Sequence, residues 1–135
     1  MTTIIDGKNA ILGRLATHVA KQLLKNEEIS IVNAEKVIIT GSPTKIVSDH
    51  LKKRRLGSPQ HGPFYPKKPD LMVRRAIRGM LPKTKSGRNA FKRLKVYISI
   101  PKELEKKELK SIAVKEVKTS FISLEELSKS LGWRG

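Results

Sequence analysis

Cysteine is absent from the 135 residues, which excludes disulfides, thiolate metal sites and cysteine nucleophiles. Aromatic residues make up 4% of the chain, too few for rows of base-stacking rings. No apolar run approaches the roughly 20 residues that a membrane-spanning helix needs. The N-terminus also lacks the apolar core of a signal peptide. The expectation is a cytoplasmic protein with no membrane partner. Acidic residues are scarce in one place above all: between His50 and Lys95 there is a single acid, Asp70, against fifteen Lys or Arg.

That stretch carries +14 of the +17 formal charge, while the segments on either side are nearly balanced. Self-repulsion in such a block opposes compaction, so a polyanion is expected to neutralise it, with nucleic acid the first candidate. A chain of this length suits one domain with a real core. Its 38% apolar content and mean hydropathy of -0.38 fit a heavily solvated or polyanion-covered surface. Residues 1–49 read as a strand and helix core, 50–95 as the basic block with helices, and 96–135 as the last core strand and a C-terminal extension.

Thr2 to Asp6 is a short β-branched run closed by Asp6-Gly7. Leu12, Leu15, Ala16, Val19, Ala20 and Leu23 then form a helical apolar stripe, with Arg14, His18, Lys21 and Lys25 opposite. That opposite face reads as solvated, and it would extend a nucleic-acid footprint if the basic block makes one. Ile29 to Asn33 and Val37 to Thr40 are two further strand candidates, and the three residues between them are too few for two adjacent parallel strands. Their pairing stays open. Ser42-Pro43 predicts a helix start, with Ile46, Val47, His50 and Leu51 on one face and Lys52-Lys53-Arg54-Arg55 at its end.

Gly57 to Pro69 holds four prolines and two glycines and reads as a long loop. A helix is predicted from Asp70, as its cap, to Met80, with Met72, Ala76, Ile77 and Met80 towards the core. Pro82 stops it. Ser86 is the expected cap of a short helix with Ala90 and Phe91 inside, followed by a buried strand from Leu94 to Ile100. Ile112 to Phe121 suggests an edge strand. Ser123 and Glu126 have capping-box spacing ahead of a Leu124, Leu127, Leu131 stripe that Gly132 ends. Strands separated by amphipathic helices predict an α/β layer fold.

Catalytic and cofactor chemistry finds no support. Gly7 to Gly13 lacks the spacing of a dinucleotide loop, and Gly41 to Lys45 lacks that of a P-loop. His18, His50 and His61 have no metal-ligand spacing, and no nucleophile, base and acid set stands out. No cofactor, metal, small-molecule substrate or homo-oligomer is expected. His50 reads as a hydrogen-bonded core residue.

The basic block itself is patterned. Its cations fall in successive patches: Lys52, Lys53, Arg54 and Arg55; Lys67 and Lys68; Arg74, Arg75 and Arg78; Lys83 and Lys85; Arg88, Lys92 and Arg93. Arg can bridge phosphates bidentately, whereas Lys is a mobile point charge. His61 can contact phosphate, stack on a base or stand idle. Phe64-Tyr65 either stacks on an unpaired base or plugs the core. Such an interface reads backbone and shape more than sequence.

Arg78-Gly79-Met80-Leu81-Pro82, then Gly87-Arg88 and Leu94-Lys95-Val96-Tyr97, closely resembles the signature of the large-subunit ribosomal protein thirteen family. Leu12-Gly13-Arg14-Leu15-Ala16 and Val32-Asn33-Ala34-Glu35-Lys36-Val37 agree in order, so the resemblance covers about the first hundred residues. The helix ending in Leu131-Gly132-Trp133 is similar to the archaeal and eukaryotic branch, which implies an archaeal origin. The resemblance implies a three-layer α/β/α domain with a four-stranded, mainly parallel sheet. It further implies a structural, non-enzymatic role: binding large-subunit rRNA beside neighbouring ribosomal proteins and supporting early subunit assembly. A free RNA-binding regulator of translation is the alternative. Within the motif, Met80 is expected to pack, and Gly79 to permit close approach or a turn.

Overall fold

A computed structural model describes residues 2–55, 68–102, 110–111 and 120–133. Strand β1 (Thr2–Asp6) leads through a Gly7 turn into helix α1 (Leu12–Leu24), which returns to strand β2 (Glu28–Val32) beside β1. Gly7 is required there, because a Cβ would lie 2.8 Å from the Val37 side chain and 3.0 Å from the Val32 carbonyl oxygen. The predicted α1 stripe is the buried one: Leu15, Ala16, Val19, Ala20 and Leu23. In β2 the four residues after Glu28 are all buried, as a strand covered on both sides requires.

The short link after β2 is resolved by a change of sheet. Asn33 adopts the left-handed conformation (φ 56°), tolerated by a short polar side chain, and donates from its amide to Asp6 at 2.9 Å. A single 3-10 turn (Ala34–Lys36) follows, and β3 (Ile38–Thr40) pairs antiparallel with β6 (Phe121–Ser123) in a separate two-stranded sheet. Three residues suffice because β2 and β3 are not neighbours. Helix α2 (Pro43–Arg55) starts at the predicted proline, and His50 is half-buried with Nδ1 2.9 Å from the Ile46 carbonyl oxygen.

Helix α3 (Pro69–Met80) packs on α1, and helix α4 (Lys85–Lys92) leads into strand β4 (Leu94–Val96), parallel to β2. The protein is therefore α/β with a parallel sheet. Its order is β4-β2-β1, with only the two residues Lys110–Ser111 (β5) beside β1, so three strands rather than a full four carry it. The last core strand is also shorter than the predicted Leu94 to Ile100. Beyond Val96 the backbone leaves the strand, with Ser99 at φ 61° and its N–H donating to the buried Glu35 carboxylate at 2.8 Å.

Three local expectations are corrected. Asp70 is not the cap: Pro69 occupies the first turn, preorganised by its fixed φ, and shifts the start so that Lys68 is the N-cap. Thr84 rather than Ser86 caps α4, its hydroxyl accepting from the Gly87 N–H at 3.4 Å. Met80 is 46% exposed, because the chain turns extended at Leu81 and sends that side chain into the core instead. The C-terminal helix α5 (Leu124–Ser130) agrees with expectation, with Ser123 accepting from the Glu126 N–H and Gly132 at φ 108° ending it. Most of Ile112 to Phe121, and the Gly57 to Pro69 loop up to Lys67, lie outside the described residues.

Candidate nucleic-acid interface

The turn between α3 and α4 is tight, and the family-like motif makes it so. Pro82 has no N–H to continue the helix, Leu81 is buried, and Gly87 lies against Pro82 so closely that a Cβ would collide with the Pro82 carbonyl. The two helices thereby frame a groove of about 560 Å³, lined by Arg75, Arg78, Gly79, Leu81, Pro82, Lys83, Gly87, Arg88 and Phe91. Four of these are cations and none is an acid.

Helical spacing sets which way the charges point. Lys85, Arg88 and Lys92 lie three and four apart on α4 and are all exposed. Arg75 and Arg78 are exposed on α3. The side chains of Arg78, Lys83, Lys85, Arg88 and Lys92 have no hydrogen-bond or ion-pair partner among the described residues. Their donors are free for an incoming anion. Lys52 and Lys68 are exposed as well.

Two predicted contacts belong to the fold instead. Arg74 is half-buried, its guanidinium 4.8 Å from the centre of the Phe91 ring, a cation–π pair that ties α3 to α4. Arg93 is turned inward: Nη2 donates to the Leu23 carbonyl at 2.6 Å, satisfying the C-terminal turn of α1. Its place next to the strand start, rather than on the outer helix face, accounts for the difference. His61 and Lys67 lie outside the described residues, as do the side chains of Lys53, Arg54 and Arg55. Gly79 is helical and exposed, and a Cβ there would meet nothing within 4 Å. No turn needs this glycine, and close approach from outside is open.

The family profile described as Ribosomal protein L13 matches residues 1–103. The chain belongs to this family. It is 49% identical to the large ribosomal subunit protein uL13 of Methanocaldococcus jannaschii, over 96% of this chain and 97% of that protein. Against the protein of the same name from Methanopyrus kandleri the identity is 48%, over 98% of this chain and 87% of the relative. For the Methanosarcina barkeri protein it is 46%, over 96% and 97%. The matched segment includes both sides of the groove, where Leu81 and Gly87 are buried and Gly79 and Arg88 exposed.

No group of three or more His, Cys, Asp or Glu placed to hold a metal occurs among the described residues of this L13 chain. No described helix is long and apolar enough to cross a membrane. The groove sets four cationic side chains around Gly79, Leu81, Pro82, Gly87 and the half-buried Phe91 ring.

Proposed function

We propose that the chain is a structural constituent of the large ribosomal subunit, not an enzyme, and that the α3–α4 groove with its flanking cations seats rRNA phosphates. The observation that carries this reading is a set of cations unpartnered among the described residues, Arg78, Lys83 and Arg88, fixed around a groove by a turn built from the family motif. Relatives along nearly the whole chain bear the name large ribosomal subunit protein uL13, which supplies the assembly. Neighbouring ribosomal proteins and a part in early assembly belong to the same reading. The three-layer arrangement does too: Ile4, Ser30 and Val32 point to the opposite side of the sheet from Ile5, Ile29 and Ile31 and are buried there as well.

The test is binding of protein-free large-subunit rRNA by the Arg78→Ala/Lys83→Ala/Arg88→Ala variant across a salt series. Each lost phosphate contact lowers the log–log salt slope by about 0.7 to 0.9, so the triple variant should flatten it by roughly 2 to 3. An unchanged slope removes the groove from the footprint.

A further inference from the structure

We infer that the RNA-binding surface continues past the groove onto the outer face of α1, which holds a second stretch of RNA backbone; this rests on the function proposed above. Three observations join here. The first is continuity. Gly79 lines the groove, Met80 follows it, and the Met80 sulfur lies 3.4 Å from the Thr17 hydroxyl, which also sits 2.9 Å from the Gly13 carbonyl. Thr17 in turn lines a second, shallower cavity of about 450 Å³ with Ile11, Gly13, Arg14, His18 and Lys21.

The second observation is charge. Helix α1 contains no Asp or Glu, while Arg14 and Lys21 are exposed and lack partners among the described residues. Lys25 continues the same line to the helix end. A solvated helix normally mixes signs on its outer face, and intrahelical pairs would stabilise it. Here like charges recur at helical spacing with nothing on the helix to offset them, so the complement must come from outside. The third is relief. Gly13 has nothing within 4 Å of where a Cβ would stand, and the exposed Thr17 is small, so the strip between Arg14 and the Met80 end of α3 is low. Double-stranded RNA presents phosphates and 2′-hydroxyls across a wide, shallow minor groove, which suits a low, cation-flanked surface better than a deep pocket.

The occupant is therefore RNA backbone, continuous with the RNA in the α3–α4 groove, rather than an acidic protein segment. Two variants test it with protein-free large-subunit rRNA as the probe. Arg14→Ala/Lys21→Ala should weaken binding by roughly 30-fold at 0.1 M salt and lower the salt slope by about 1.5. Lys129→Ala on α5 removes one charge elsewhere and measures the loss per unit of net charge. Gly13→Leu replaces an exposed helical glycine, so it should raise the melting temperature while still weakening RNA binding. A Gly13 that faces only solvent predicts the higher melting temperature with full affinity.

If the logarithmic loss for Arg14→Ala/Lys21→Ala is no more than twice that for Lys129→Ala, or Gly13→Leu binds as tightly as the parent, the α1 surface is not part of the footprint. The groove triple variant separates the two levels. Loss there with no loss on α1 overturns only this inference, whereas no loss in either removes the groove as well and overturns the proposed RNA seat.

Discussion

The inner and outer faces of the α3–α4 unit differ in what a substitution can disturb. On the inner face Val73, Ile77 and Ala90 have no exposed surface, and Gly87 is pressed onto Pro82. On the outer face Arg75, Arg78, Gly79, Lys83 and Arg88 stand in solvent. One short stretch of chain thus carries two independent demands, alternating residue by residue. Stability should respond to the inner face and RNA affinity to the outer, and each demand can be broken without the other.

The largest effect is expected at Gly87. Replacing it with Val drives a branched side chain into the Pro82 carbonyl, which backbone cannot yield without moving the turn. The cost should be about 3 kcal/mol or more, the upper end for overpacking, and a better helix propensity returns less than about 1 kcal/mol of it. The melting temperature should fall by on the order of 10 °C. A Gly87→Val protein as stable as the parent would show that the turn is not held by this contact, and the separation of faces would lose its clearest member.

Arg93 sharpens the comparison because it looks like an outer cation and behaves as an inner one. Arg93→Ala removes the hydrogen bond to the Leu23 carbonyl and should cost roughly 2 kcal/mol, in the range for charge-assisted bonds. Its effect on RNA affinity, measured well below the melting transition, should be no more than that of any single lost charge. A large loss of affinity with unchanged stability would move Arg93 to the outer set.

These assignments mark how far residue pattern alone reaches. The α1 stripe, the α2 start at Pro43 and the Ser123 cap depend on neighbours in sequence, and local periodicity and capping chemistry place them correctly. The destination of β3 is different in kind. It is decided by pairing with Phe121–Ser123, some eighty residues away, and no local signal near Val37 points there. Met80 and Arg93 fail for a related reason: each sits where a helix ends, and the direction of a side chain there is set by how the chain leaves. The charge asymmetry of the basic block was legible from composition. Most of its outward cations were legible as well, since Arg75, Arg78, Lys83, Lys85, Arg88 and Lys92 are exposed; among the described residues only Arg74 and Arg93 turn to the fold.

Gly79 offers the smallest and most discriminating effect. It is helical, exposed and unhindered, so Gly79→Ala should stabilise the fold by about 0.5 to 1 kcal/mol through the lower entropy of the unfolded chain and the better helix propensity. A methyl group at the groove rim should at the same time hold RNA backbone slightly away and weaken binding of protein-free large-subunit rRNA a few-fold. The two signs are opposed, which no common structural defect produces. Loss of stability would place Gly79 with Gly87 on the inner face. A gain in stability with affinity intact would show that the space above it is open but unused. Opposed signs would establish that residues of one motif, a few positions apart, answer to packing and to RNA separately.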